Sequence, residues 1–180
     1  MITPLKIERF IMIRFSGIIL ICLFAGCDSK EVKQQYQDHP FDQQVIEKLP
    51  IYDSLCAVLI RNFPSYREEI QKNNAFKIVY TSDTSALNKD LPHEAAVKVN
   101  RYFRQLGNRF IYRLDVYKDS SIRISVRDTY IDKSKLNIGE RLSYFPDSSA
   151  MKKREFPVKD TMLNDHWQYW ISFKEEVGFF

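Results

Sequence analysis

The three histidines are the first residues to consider for acid–base or metal chemistry. His39, His93 and His166 are the only imidazoles in the 180-residue chain, and no two of them stand four residues apart. None lies in a Cys/His pattern typical of zinc binding. His166 follows Asp165, but spacing alone supplies it with no nucleophile. We therefore predict no metal site and no catalytic residues, and a small hydrolase using His166 and Asp165 is the least favoured function.

The glycines bear on nucleotide and phosphate binding. Only Gly107, Gly139 and Gly178 follow residue 26, and each of them is isolated in the sequence. A phosphate-binding loop needs several clustered glycines so that the backbone can approach the phosphate closely. The sequence therefore excludes a glycine-rich nucleotide site, and we expect no cofactor.

Arginines and aromatic residues alternate with apolar residues in two segments, 110–117 and 122–127. This alternation predicts two strands of a β-hairpin. Because directly paired residues share a face, we expect Val116 opposite Ile124, with residues 119–121 as a three-residue loop.

The expected register places Arg113 opposite Arg127 and Arg123 opposite Tyr117 on the outer face of the sheet. Like charges directly opposite one another are mildly destabilising. Two interpretations stay open. Either acids such as Asp115 screen the arginines on a solvated face, or this face meets an anionic partner.

Trp170 is a further candidate for a binding surface. It alternates with Trp167 and Tyr169 on a predicted aromatic strand, so it faces the opposite side of the sheet. It is either covered by another element or exposed, and an exposed Trp beside Tyr is typical of binding surfaces. The candidate surface comprises Arg113, Arg123, Arg127, Tyr117 and Trp170.

The N-terminal segment has the features of a secretory signal. Arg14 precedes a run of apolar and small residues from 17 to 25. This run is too short for a membrane-spanning helix, which needs about 20 residues. A basic start, a short apolar run and small residues at its end are typical of a cleaved signal peptide. Met12 and Met1 both remain possible starts, because residues 12–14 alone would form a compact basic beginning.

The signal ends in Leu23-Phe24-Ala25-Gly26-Cys27. This segment resembles the lipobox of bacterial lipoproteins. The resemblance implies that Cys27 receives a diacylglyceryl group, that the signal is cut before Cys27, and that the new N-terminus can also be acylated. Two or more acyl chains hold a protein firmly on a membrane, whereas one does so only marginally. A plain signal peptide and an uncleaved anchor are the open alternatives.

We predict three parts: a signal peptide at 1–26, the lipidated cysteine with a polar tether at 27–40, and a single α+β domain at 41–180. Cleavage would leave 154 residues, enough for one domain. It would also lower the net charge from +4 to +2, because three basic residues and one acidic residue leave with the signal. A near-neutral domain lacks the excess of basic residues that is typical of nucleic-acid-binding proteins. We expect residues 28–39 to form a flexible coil.

The mature chain retains one thiol, Cys56, besides Cys27. An internal disulfide is therefore excluded if Cys27 is lipidated. Cys56 lies in an apolar stripe of a predicted helix, and we expect it to be buried.

Periodicity predicts the fold class. Helices are expected around 50–60, 65–72 and 91–106, and strands at 76–81, in the hairpin, at 141–145 and near 167–173. This order favours an α+β fold in which N-terminal helices and one long helix pack on an antiparallel β-sheet meander.

These features favour an exported lipoprotein of the bacterial cell envelope, attached to a membrane through Cys27. Its expected role is that of a binding or assembly module for an envelope protein or glycan, with no nucleic-acid partner. An envelope inhibitor or immunity-type protein is the alternative from a second class. The small hydrolase based on His166 remains the third.

Overall fold

The structure is a computed structural model that describes residues 33–79, 91–131, 136–155 and 157–175. The predicted signal, Cys27 and the end of the strand predicted at 76–81 lie outside these ranges. Within them, the α+β class is confirmed, because helices pack on one face of an antiparallel sheet. No helix in the described ranges is both long and apolar enough to cross a bilayer.

Five α-helices occur in the described residues. Helix α1 spans 33–38, α2 Gln43–Glu47, α3 Leu49–Arg61, α4 Arg67–Asn73 and α5 His93–Leu106, and a 3-10 turn at Phe63–Tyr66 joins α3 to α4. Pro50 occupies the first turn of α3, where its missing N–H removes no helical hydrogen bond. Gly107 ends α5 with a φ of 71°, a conformation that glycine adopts at little cost.

The sheet has six strands in the order β1-β2-β3-β4-β6-β5, and every neighbouring pair is antiparallel. The strands are β1 Ala75–Val79, β2 Arg113–Tyr117, β3 Ile122–Ile131, β4 Leu136–Tyr144, β5 Val158–Met162 and β6 Trp167–Glu175. Strands β2, β3 and β4 are consecutive neighbours, as in the predicted meander, and β6 pairs with β4. Strand β1, which precedes α5, and strand β5 form the two edges of the sheet.

The core lies between the helices and one face of the sheet. Apolar residues that recur at three and four positions along α3 meet alternate residues of the strands. Fully buried members include Tyr52, Leu55, Leu59, Leu114, Ile124, Leu142 and Trp167. Cys56 is buried among them, as predicted. Burial of each large apolar side chain contributes about 1.5–3 kcal/mol to folding.

The hairpin register differs from the predicted one by two residues. Val116 pairs with Ile122, and Arg113 pairs with Ser125, so the predicted opposition of Arg113 and Arg127 is wrong. The loop has three residues as expected, but they are 118–120. Ser120 has a φ of 61° and donates its N–H to the carbonyl oxygen of Tyr117 at 3.0 Å. A left-handed third residue of this kind is typical of three-residue hairpin loops.

The predicted flexible tether is wrong for residues 33–39. Helix α1 packs on the domain, and the ring of Tyr36 lies 5.3 Å from that of Phe173. The Lys159 ammonium donates hydrogen bonds to the carbonyl oxygens of Gln37 and His39, at 3.2 and 3.0 Å. The domain therefore begins before residue 41, because Tyr36 supplies an aromatic contact that the polar composition obscured.

Candidate functional site

The structure divides the five predicted surface residues between the two faces of the sheet. Arg123, Tyr117 and Trp170 meet on the outer face, which none of the five described helices covers. The guanidinium carbon of Arg123 lies 5.2 Å from the ring centroid of Tyr117 and 5.5 Å from that of Trp170. Both distances fall within the range of cation–π contacts. These three residues form the centre of the candidate site.

Arg127 lies on the helix-covered face, away from that centre. A β-bulge between Ser125 and Arg127 shifts the register and reverses the alternation of side chains along β3. The Arg127 guanidinium donates two hydrogen bonds of 2.9 Å to Glu140 and one of 2.9 Å to Asp42, the N-cap of α2. Arg127 is thus a structural link between the sheet and the N-terminal helices.

Glu140 is the buried centre of this link, with 3% of its side chain exposed. Tyr169 donates its hydroxyl to Glu140 at 2.6 Å, and Nε2 of His39 lies 3.7 Å away. Burial alone would raise the pKa of Glu140, but His39, Arg127 and Tyr169 outweigh burial and lower the pKa to about 2. Because 3.7 Å exceeds a hydrogen bond, we attribute most of the lowering to Arg127 and Tyr169.

Arg113 is on the outer face but is already neutralised. Its Nε and Nη2 atoms donate to Asp115 at 3.0 and 2.9 Å, and only 3% of Asp115 is exposed. The hydrogen bonds to Asp115 raise the pKa of Arg113 despite partial burial. The screening by Asp115 that the sequence suggested therefore applies to Arg113.

Trp170 is covered rather than exposed, since only 8% of it is accessible. The guanidinium carbon of Arg154 lies 4.4 Å from its ring centroid. The indole N–H donates to Oγ of Ser143 at 2.9 Å. Arg154 is held by its backbone N–H, which donates to Asp160 at 2.8 Å. The segment between β4 and β5 therefore places a second arginine over Trp170.

Arg123 and Arg154 both line a cleft of about 480 Å³ on this face. The remaining lining residues are Asn74, Tyr117, Lys118, Asp119, Ser121, Ile122, Ser143 and Phe145. Three of the charged lining residues are cationic and one is acidic. The acid, Asp119, accepts hydrogen bonds from the backbone N–H and hydroxyl of Ser121, at 3.0 and 2.6 Å. The cleft therefore carries a net positive charge.

Among the described residues, the two arginines have no carboxylate within ion-pair distance. Within the described ranges, neither Arg123 nor Arg154 forms an ion pair, and the Nε atom of each is buried without a hydrogen-bond acceptor. Burial and the nearby charge of Arg123 lower the pKa of Arg154, and the negative charge of Asp160 opposes them only in part. A buried donor without an acceptor costs stability, about 1–3 kcal/mol for a typical group. Unpaired buried donors of this kind occur at functional sites and also where a water molecule completes the hydrogen bonding.

The histidines form no shared site. His166 Nδ1 donates to the carbonyl oxygen of Phe145 at 2.8 Å, and its ring stacks on Tyr144. His39 lies beside Glu140, and His93 begins α5. In the part of the chain that the structure describes, no group of three His, Cys, Asp or Glu residues could hold a metal. Cys27 lies outside that part.

Sequence reasoning missed Arg154. The only available signal was the basic run Lys152-Lys153-Arg154 in a polar loop after a predicted strand. A loop of this kind is usually solvated, and nothing in the sequence indicates that it folds back over Trp170. The contact depends on Asp160 and Gln168, and the side-chain amide of Gln168 donates to the carbonyl oxygen of Lys152 at 2.8 Å.

No protein-family model, curated protein or solved structure matches this chain.

Proposed function

We propose that this chain is a lipid-anchored binding protein of the bacterial cell envelope and that the outer face of its sheet meets the partner. The cationic cleft carries this proposal, because Arg123 and Arg154 converge there over one indole without a carboxylate partner among the described residues. Aromatic and arginine side chains are the residue types most enriched at the energetic centres of interfaces.

The anchor in this proposal is Cys27, supported by the resemblance of residues 23–27 to a lipobox. Lys33 is the first residue that the structure describes, and six residue steps separate it from Cys27. Six residues can span at most about 20 Å. The domain would therefore sit close to the lipid headgroups, and its partner would be a component near the membrane surface, an envelope protein or a glycan.

The anchor is tested by growing cells with an alkyne analogue of palmitate and comparing the wild-type chain with Cys27→Ser and Cys56→Ala. We expect label on the wild-type and Cys56→Ala chains and none on Cys27→Ser, which should also leave the membrane fraction. Equal labelling of Cys27→Ser would reject the lipoprotein assignment.

The binding surface is tested by chemical crosslinking of intact cells followed by pull-down. Lys118 at the cleft and Lys98 on α5 are both exposed and can each be changed to Glu. We expect Lys118→Glu to lose a stoichiometric partner that the wild type and Lys98→Glu retain. If only Lys98→Glu loses the partner, the binding surface lies on the helices rather than at the cleft. If no variant and no wild-type sample captures a partner, a binding role is rejected.

A further inference from the structure

We propose that the cleft contains an oxyanion subsite in which Arg123 and Arg154 bind one carboxylate or phosphate group of a small, hydroxyl-bearing acidic ligand. The inference deepens the proposed binding function and rests on it for the location of the site. It adds the chemical class of the group that is recognised.

The two guanidinium groups are held by the same aromatic ring. Their carbons lie 5.5 Å (Arg123) and 4.4 Å (Arg154) from the ring centroid of Trp170. Trp170 is itself fixed through its N–H to Ser143. A guanidinium group holds its N–H donors in one plane, where they fit the oxygens of carboxylates and phosphates. The donors are thus positioned before any ligand arrives.

The neighbouring acids are engaged elsewhere. Asp115, which pairs in register with Arg123, accepts both hydrogen bonds of Arg113. Asp160 accepts the Arg154 backbone N–H at 2.8 Å and the side-chain amide of Gln168 at 2.6 Å. Two like charges held together in this way repel one another, and an incoming anion removes that repulsion. The described part of the protein supplies the cationic half of an ion pair without the anionic half.

The rest of the lining indicates what carries the anion. Asn74, Ser121 and Ser143 present an amide and two hydroxyl groups, and Ile122 and Phe145 add apolar surface. Because Oγ of Ser143 accepts the indole N–H, its own proton remains as a donor. A volume of about 480 Å³ falls in the range of pockets that hold small organic ligands. The site therefore suits an acidic molecule with several hydroxyl groups rather than a bare ion.

The experiment uses the full-length protein in detergent, with isothermal titration and intrinsic fluorescence as readouts. Trp167 and Trp170 are the only tryptophans, and Trp167 is fully buried, so binding should alter the emission of Trp170. The probes are glucuronate, glucose 6-phosphate and neutral glucose. We expect both acids to bind and glucose not to bind. The acid that binds more tightly identifies a carboxylate or a phosphate as the natural group.

Arg123→Gln and Arg154→Gln should each weaken binding of the acids about 10-fold or more, because each removes charged hydrogen bonds to the ligand. Arg67→Gln is the matched control, since Arg67 is exposed and does not line the cleft. Arg154→Lys keeps the charge and should retain part of the affinity. All variants should melt near the wild-type temperature, because each Gln variant loses a cation–π contact but also removes an unpaired buried N–H, and the two effects oppose each other.

Equal binding of glucose, no binding of either acid, or unchanged affinity in both Gln variants would overturn the oxyanion subsite. If one Gln variant unfolds, the other Gln variant and Arg154→Lys still decide the question. If crosslinking at Lys118 captures a partner in intact cells but the purified protein binds neither acid, the oxyanion subsite is rejected and the binding function stands. If crosslinking captures no partner and neither acid binds, the binding function is rejected as well.

Discussion

Replacement of Glu140 by glutamine tests the covered ion pair that joins the sheet to the N-terminal helices. Glu140 is almost fully buried and accepts two hydrogen bonds from Arg127 and one from Tyr169. Removal of one partner from a buried ion pair costs about 3–5 kcal/mol. Arg127 is 35% exposed and keeps its bond to Asp42, so we expect the low end, about 3 kcal/mol.

The measurement is the free energy of unfolding, from urea denaturation of the full-length protein at pH 7 followed by circular dichroism. Asp128→Asn is the matched control, because Asp128 pairs with Arg141 at 2.6 Å on the adjacent positions of the same two strands and is 41% exposed. Only 17% of the Arg141 side chain is exposed, and Asp128 also accepts the Tyr112 hydroxyl, so loss of this pair should cost more than the roughly 0–1 kcal/mol of a fully exposed pair but less than loss of the Glu140 pair. The two variants therefore compare a buried ion pair with a partly exposed one at nearly the same place in the sheet.

The stability difference between the wild type and Glu140→Gln should also depend on pH. The pKa of Glu140 is about 2 in the folded protein and about 4.3 in an unfolded chain. A carboxyl with a lowered folded pKa stabilises the protein above its unfolded pKa, and this contribution is lost as the pH falls from about 4.3 to about 2. The stability difference between wild type and Glu140→Gln should shrink over that interval. A difference that stays constant with pH, or a Glu140→Gln variant as stable as Asp128→Asn, would refute the reasoning.

Three further predictions concern single side chains. Ser120→Gly should raise the free energy of unfolding by about 1 kcal/mol in urea denaturation, because Ser120 has a φ of 61°; no gain would contradict the hairpin loop. Tyr52→Phe should lower it by about 1–2 kcal/mol, because the buried Tyr52 side chain donates its hydroxyl to the partly buried carbonyl oxygen of Phe110 at 2.5 Å; an unchanged midpoint would argue against that bond. Cys56 should react with Ellman's reagent only after unfolding, because full burial raises the pKa of its thiol; rapid reaction of the native protein would contradict this.

The elements with strong periodicity could be predicted from the sequence. Helix α5 follows a period of 3.6 over its whole length, and its buried residues match that spacing. The alternation of apolar residues also predicted strand β6, but every residue from Trp167 to Ile171 is buried, because both faces of this part of the strand are covered. Parity also fixed which residues of the hairpin share a face. It could not choose between two loops of equal length, and the left-handed Ser120 with the turn-capping Asp119 makes that choice.

The site required contacts that no local pattern reveals. Arg127 reaches the covered face because of a bulge, and its partner Asp42 lies 85 residues away in the chain. Arg154 belongs to the site only because its loop crosses the outer face and stacks on Trp170. Local periodicity carries no information about bulges or about loops that fold back over the sheet. Of the five residues predicted for the surface, the structure therefore groups only Tyr117, Arg123 and Trp170, and it adds Arg154.

The most direct test of the binding surface is site-specific photo-crosslinking in intact cells. A photoreactive residue replaces Lys118 at the cleft in one strain and Val97 on the exposed side of α5 in another, because both side chains are exposed but lie on opposite layers of the fold. We predict a discrete crosslinked partner from position 118 and none from position 97. Crosslinks from position 97 alone, or from neither position, would contradict the account.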